Sequence, residues 1–264
     1  MAEPGRAFEH GVPGWLRNVQ RTRNTVRQRL VAAQVAALRD VLGAGPLRVL
    51  DAGCGQGTQA LVLARAGHAV TGLDPSADLL DRFASTVDAE PAAVRERVRL
   101  VRGPGERAGE LAPGPFDLVL CHGVLMYLDD PAPLLGALGS VAAPGAGLSL
   151  LVRNGLAPAM RPGLRGEYRA ALDAFDRPEY TTRLGLAARM HTPEELDGHL
   201  APAGWRPHRW YGVRVFSDHR PDPDPAELDD LVAAEAEAGV RDPYRQIAAL
   251  LHVQYRLRDA RIDG

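Results

Sequence analysis

The chain contains no lysine: all 31 of its basic residues are arginine. That excludes Schiff-base chemistry and any lysine general base. With abundant alanine, 28 glycines and 21 prolines, it also marks the coding bias of a GC-rich genome. Cysteine is nearly absent, since Cys54 and Cys121 are too few for a disulfide framework or an ordinary zinc site. No apolar run approaches the roughly 18 to 20 residues that a membrane helix needs, and residues 1–15 carry no apolar signal core. Excess charge is missing too: the net charge of -2 argues against a strongly basic nucleic-acid binder. These absences point to a cytoplasmic protein with no membrane contact and no metal centre.

What is present is the composition of an ordinary globular protein, 45% hydrophobic and 24% charged over 264 residues. That length suits one elaborated domain, or one domain with a small lobe. Charge is unevenly spread. Residues 1–30 hold six arginines against Glu3 and Glu9, whereas the segment from Ser217 onward holds eleven acids against six arginines. Solvated faces of opposite sign and a polyanion contact near the N-terminus both account for this.

Apolar residues at Val26, Leu30, Ala33, Ala37 and Val41 are spaced for a helix over 25–42. Leu47 to Asp51 reads as a short buried strand, followed by a glycine loop and a helix over 59–66. His68 to Leu73 reads as a second strand, with a helix capped by Ser76 behind it. Strands over 98–102, 116–121 and 147–152 follow, with a helix over 131–141. Strands alternating with helices predict a doubly wound, mostly parallel α/β sheet. Residues 155–190 break the rhythm and read as an inserted lid or helical excursion. Thr192-Pro-Glu-Glu opens a helix, 205–216 alternates as one strand or a strand pair, and the Pro-Asp-Pro-Asp-Pro stretch at 221–225 is a stiff loop. Acidic helices and a final strand over 250–257 complete the chain; a terminal strand pair appended to a parallel sheet is common.

The chemistry centres on Asp51-Ala52-Gly53-Cys54-Gly55-Gln56-Gly57, between a strand and a helix. Glycines there let the backbone turn sharply and approach a ligand at the carboxyl edge of the sheet. Asp74 closes the second strand 23 residues after Asp51, where a carboxylate can accept both hydroxyl protons of a ribose. An adenosine-type cofactor is implied. A dinucleotide fingerprint starting at Gly53 would call for a small residue at Thr58, and its pyrophosphate would be repelled by Asp51. A cofactor with a sulfonium and an α-ammonium would favour that acid. The loop therefore suits S-adenosylmethionine better than NAD.

Through L-R-V-L-D-A-G-C-G-Q-G and G-L-D-P-S the chain resembles the class I S-adenosylmethionine-dependent methyltransferases. Val26-Arg27-Gln28, the stretch from Asp117 to Leu125, Asn154-Gly155, Ala203-Gly204-Trp205 and Gly212-Val-Arg-Val-Phe216 are similar, more narrowly, to the bacterial tRNA 5-carboxymethoxyuridine methyltransferases, which esterify a carboxylate on a wobble uridine. This likeness runs from about residue 26 to 257. It implies a Rossmann-like sheet of seven strands with one antiparallel C-terminal strand. It also implies that Arg27 binds the methionine carboxylate, that Gly53, Cys54 and Gly55 lie against the cofactor with Asp51 behind them, and that Asp74 takes the ribose. Gly105 and Glu106 would lie by the adenine, and His122 would contact the cofactor after strand four. The family's acid-aromatic pair after that strand is Met126-Tyr127 here, and its lysine-rich inserted run is absent. On this basis residues 1–43 form an N-terminal arm and cap helix, 44–154 the cofactor core, 155–190 the lid, and 191–264 the rest of the sheet with substrate-side elements.

Two residues are candidates for chemistry beyond cofactor binding. His122 is the obvious base if the acceptor is a phenol or amine. Arg214, read as part of an alternating strand between Val213 and Val215, can fork onto an acceptor carboxylate or pair with Asp218. Arg153 and Asn154 are weaker candidates for substrate contact. Tyr127 and Tyr211 suit aromatic packing better than base stacking, and both cysteines read as small buried fillers. Three functions are compatible with this reading: methylation of a nucleic-acid or small-molecule carboxylate, a small-molecule O- or N-methyltransferase, and a cofactor-binding protein without turnover. The acceptor is tRNA or a small carboxylate or hydroxyl compound, and nothing in the sequence sets the oligomeric state.

Overall fold

A computed structural model of the chain describes residues 21–177, 179–181, 187–219 and 224–259. The basic stretch before residue 21 and most of the Pro-Asp loop lie outside the described residues. In chain order the elements are α1 (Thr22–Leu42), β1 (Arg48–Ala52), α2 (Thr58–Arg65), β2 (Ala69–Asp74), α3 (Ala77–Asp88), α4 (Ala92–Arg95), β3 (Val98–Arg102), α5 (Ala108–Leu111), β4 (Phe116–His122), α6 (Ala132–Ser140) and β5 (Ala142–Arg153). There follow α7 (Met160–Leu164), α8 (Tyr168–Phe175), the β6–β7 hairpin (Glu179–Thr181 and Ala187–Arg189), α9 (Pro193–Leu200), β8 (Trp205–Val213), α10 (Leu228–Ala238) and β9 (Leu250–Leu257).

Seven strands form one sheet in the order β3-β2-β1-β4-β5-β9-β8. β9 runs antiparallel to both β5 and β8, and the other adjacent pairs are parallel. Six strands therefore point one way and the last strand points back, a mixed Rossmann-like sheet. The chain leaves β1 towards β2 and β3, then returns to β4 on the other side. This change of direction opens a crevice at the carboxyl ends of β1 and β4, where open α/β sheets take their ligands.

The strands are buried on both faces, so alternate residues feed two cores. Leu50, Val119, Leu148 and Leu150 face Leu134, Leu138, Leu196 and Leu200 of α6 and α9. Val49, Leu118 and Leu120 face Val26, Leu30, Val35, Leu61 and Phe83 of α1, α2 and α3. Caps fall where the sequence places them. Ser76 accepts the Leu79 N–H, and Thr192 with Glu195 forms a reciprocal capping box.

Of the two alternatives for the 205–216 stretch the single strand is the one seen, and its expected end is corrected. It is a single strand that stops at Val213, and Arg214 lies beyond it with φ of +63°, the one non-glycine residue in the left-handed region among those described. The chain turns there because the next three amides are drawn away from the sheet: Val215, Phe216 and Ser217 all donate their N–H groups to the carboxylate of Glu235 on α10.

Candidate active site

The glycine loop is shaped by its backbone. Gly53, Gly55 and Gly57 have φ of +76°, +55° and +78°, which other residues rarely adopt. A side chain at Gly53 would also collide with Val124, its Cβ falling 2.2 Å from Cγ2. Both Gly53 and Cys54 donate their N–H groups to the Leu73 carbonyl, which ties the loop to the end of β2. Gly57 serves packing instead: its Cα lies against the Phe83 ring.

Two carboxylates lie under the loop. Asp74, at the end of β2, accepts the Gly55 N–H at 2.8 Å and the Ser76 N–H at 2.9 Å. Asp51, at the end of β1, is 3% exposed. Burial, then the charge of Asp74, pushes its carboxyl up to about 7, against a hydrogen bond from the Ala60 N–H. A buried acid poised near neutrality is an incomplete arrangement that a cation would complete. This fits the sulfonium and ammonium of S-adenosylmethionine and not a pyrophosphate.

Other residues expected at the cofactor lie around the same edge. Gly105 occupies a single helical turn after β3 with the exposed Glu106 beside it. Cys54 and Cys121 are buried, and burial holds both thiols well above their usual range. Arg27, on α1, lies near Arg214, Tyr127 and His122. Burial, then the nearby Arg214, lowers it to about 10, while Tyr127 works the other way. His122 ends β4, and its Nε2 is 2.8 Å from Ser149 Oγ.

Arg214 belongs to a cluster that sequence reasoning did not foresee. Asp218 is paired to Arg214 at 2.5 Å and to Arg161 at 2.7 Å, with Arg153 at 3.8 Å. Burial alone would raise the Asp218 carboxyl, but Arg214, Arg153, Arg161 and Arg23 outweigh it and hold it at about 2. Of the two alternatives for Arg214, the pair with Asp218 is the one seen, and that pair lines a pocket with Met160, Leu164, Met190 and Ile247. Arg214 Nε is buried without a hydrogen-bond partner among the described residues. Arg153 also lies over the Tyr180 ring, 5.2 Å from its centroid.

Asn154 is 3% exposed at the wall of the same pocket, and its amide donates to the carbonyls of Gln246 and Ala248. Tyr211 stacks on His252, in keeping with a packing role. Arg161, Ser149, His252 and Glu235 escaped the sequence reading. Ser149 and His252 each had a faint signal, as a single polar residue in the apolar runs Leu148-Ser-Leu-Leu-Val and Leu250-Leu-His-Val.

Residues 50–150 match the family model of a methyltransferase domain. The protein is an S-adenosylmethionine-dependent methyltransferase, and S-adenosylmethionine is its cofactor. It is similar to the tRNA 5-carboxymethoxyuridine methyltransferase of Escherichia coli K12, with 28% identity over 95% of this chain and 96% of the relative. The ubiquinone biosynthesis O-methyltransferase of Psychrobacter arcticus is 32% identical over 62% of this chain and 61% of its own. Among solved structures, the Burkholderia thailandensis 1,6-didemethyltoxoflavin-N1-methyltransferase, bound to 1,6-didemethyltoxoflavin and S-adenosylhomocysteine, matches with a TM-score of 0.60 and 20% identity, covering 98% of this chain and 92% of that one. Among the described residues no helix is long and apolar enough to cross a membrane, and no group of metal-binding side chains is found.

Proposed function

We propose that the protein transfers a methyl group to a carboxylate oxygen of its acceptor, and that Arg214, with Arg153 and Arg161, holds that carboxylate. The observation that carries this reading is the convergence of three guanidinium groups on Asp218 beside Arg27. Among the described residues a single aspartate faces this group of arginines, and the cationic excess favours an anionic guest.

S-adenosylmethionine supplies an electrophilic methyl on positively charged sulfur. In this reading Asp51 faces its cationic portion, Asp74 its ribose, Gly105 and Glu106 its adenine, and Arg27 its carboxylate. The protein's task is alignment, which can contribute roughly 7 to 11 kcal/mol. A carboxylate is already ionised at neutral pH, so its oxygen attacks without surrendering a proton. The full-length likeness to an enzyme named for 5-carboxymethoxyuridine supports such an acceptor, either in tRNA or as a smaller molecule.

A second reading, methylation of a phenolic small molecule, is favoured by the apolar wall of Met160, Leu164, Met190 and Ile247. One experiment separates the two. The enzyme is given methyl-labelled S-adenosylmethionine with tRNA carrying 5-carboxymethoxyuridine, with the free nucleoside, and with a panel of phenols. Label released as methanol by mild alkali marks an ester and is the expected result. Label that survives alkali, on a phenol alone, overturns the carboxylate reading.

A further inference from the structure

Behind His122 runs a buried file of polar side chains that crosses β4, β5 and β9 and ends on α1. His122 Nε2 lies 2.8 Å from Ser149 Oγ, which lies 2.7 Å from His252 Nε2, while His252 Nδ1 lies 2.7 Å from Gln34 Oε1. Ser149 and His252 are both 0% exposed. Tyr211 stacks on the His252 ring at 5.9 Å, and the two imidazoles meet edge to face at 5.5 Å.

The far end dictates every hydrogen in the file. An amide oxygen can only accept, so His252 Nδ1 carries the hydrogen. A neutral imidazole has only one, so His252 Nε2 accepts and Ser149 donates its hydroxyl to it. The serine oxygen then receives the hydrogen of His122 Nε2, and His122 Nδ1 is left bare. Both rings are neutral because of where they lie. Burial pushes His252 down to about 3, and burial, then His252 and Arg27, pushes His122 down. Nδ1 of His122 has no hydrogen-bond partner among the described residues.

We infer that Ser149, His252 and Gln34 are positioning residues that lock His122 as its Nε2–H tautomer, so that it offers Nδ1 to the active-site crevice as a hydrogen-bond acceptor and not as a proton-abstracting base. The file cannot relay a proton outward. Gln34 has no site to accept one, so a proton taken at Nδ1 would leave an imidazolium held between His252 and Arg27. Nδ1 instead suits a donor, such as an ammonium or a hydroxyl, and repels an anionic oxygen. The carboxylate of an acceptor is thereby directed to the arginine side. This inference rests on the proposed reading that the acceptor arrives ionised.

The tautomers can be read directly by long-range proton–nitrogen correlation on the full chain labelled with nitrogen-15 histidine. His122→Asn and His252→Gln serve to assign the two rings. At neutral pH the expected result is opposite tautomers, Nε2–H at His122 and Nδ1–H at His252, with neither ring charged. An Nδ1–H or an imidazolium at His122 overturns the inference. Ser149→Ala is expected to mix the His122 tautomers and to lower kcat about tenfold, the equivalent of one lost hydrogen bond, while Ser149→Thr keeps both near wild type. Unmixed tautomers in Ser149→Ala would also overturn it. If no carboxylate is methylated while the opposite tautomers are seen, the lock stands and only the reading of the acceptor fails.

Discussion

Asp51 and Asp74 end neighbouring parallel strands, and the charge of Asp74 helps to keep a proton on Asp51 near neutrality. A cation bound against Asp51 favours the ionised form, so cofactor binding below about pH 7 must release that proton. Affinity for S-adenosylmethionine is expected to be steady above this point and to fall by up to about tenfold per pH unit below it. Calorimetry in buffers of different ionisation enthalpy measures the released proton directly. Asp51→Asn should abolish both the release and the pH dependence. Asp74→Ala should shift the window to lower pH and weaken binding about tenfold or more, through lost hydrogen bonds to the ribose.

Arg214 tests the acceptor side separately. Arg214→Ala is expected to raise the acceptor KM by tenfold or more and to leave the Kd for S-adenosylhomocysteine within about twofold, since one charge-assisted hydrogen bond is removed from the acceptor and none from the cofactor. Arg214→Lys should recover little, because an ammonium lacks the planar fork. Unchanged KM values in Arg214→Ala would remove this residue from the site.

Glu235 holds the turn that presents both Arg214 and Asp218. Its carboxylate is 0% exposed and accepts the Ser217 hydroxyl at 2.6 Å besides three backbone N–H groups. Glu235→Ala leaves those donors without a partner and is expected to cost about 3 kcal/mol or more of stability in urea unfolding. A loss below about 1 kcal/mol would mean that the turn is held by other contacts.

His252 makes the fold sensitive to acid. Its folded value, about 3, lies below the ordinary imidazole value of about 6.5. Below about pH 6.5 the unfolded chain binds a proton that the folded chain refuses. Stability is therefore flat above that pH and falls below it by about 1.4 kcal/mol per pH unit, with His122 acting in the same sense. Urea midpoints at neutral and mildly acidic pH should show this slope, and His252→Gln should make it shallower.

The glycine loop and its two acids were legible in sequence because they depend on local rules. Gly53, Gly55 and Gly57 declare a turn that only they can make, and Asp51 and Asp74 each close a strand whose apolar run is visible. The arginine cluster depends on distant residues meeting. Asp218 gathers Arg161 from the excursion, Arg153 from β5 and Arg214 from beyond β8, and no local spacing announces that meeting. Arg214 also showed how periodicity can mislead. Val213 and Val215 alternate around it as in a strand, yet Glu235 pulls the intervening backbone into a turn. The Ser149 and His252 pair was hidden for a related reason, since two single polar residues in apolar strands look like noise until the strands lie side by side.

The cationic excess of the arginine pocket gives the proposed reaction a direction in time. A carboxylate is drawn in because it is charged, and methylation erases that charge. The same guanidinium groups that captured the acid have little hold on the neutral ester, so the pocket would empty itself once its work is done and would not be clogged by its own product.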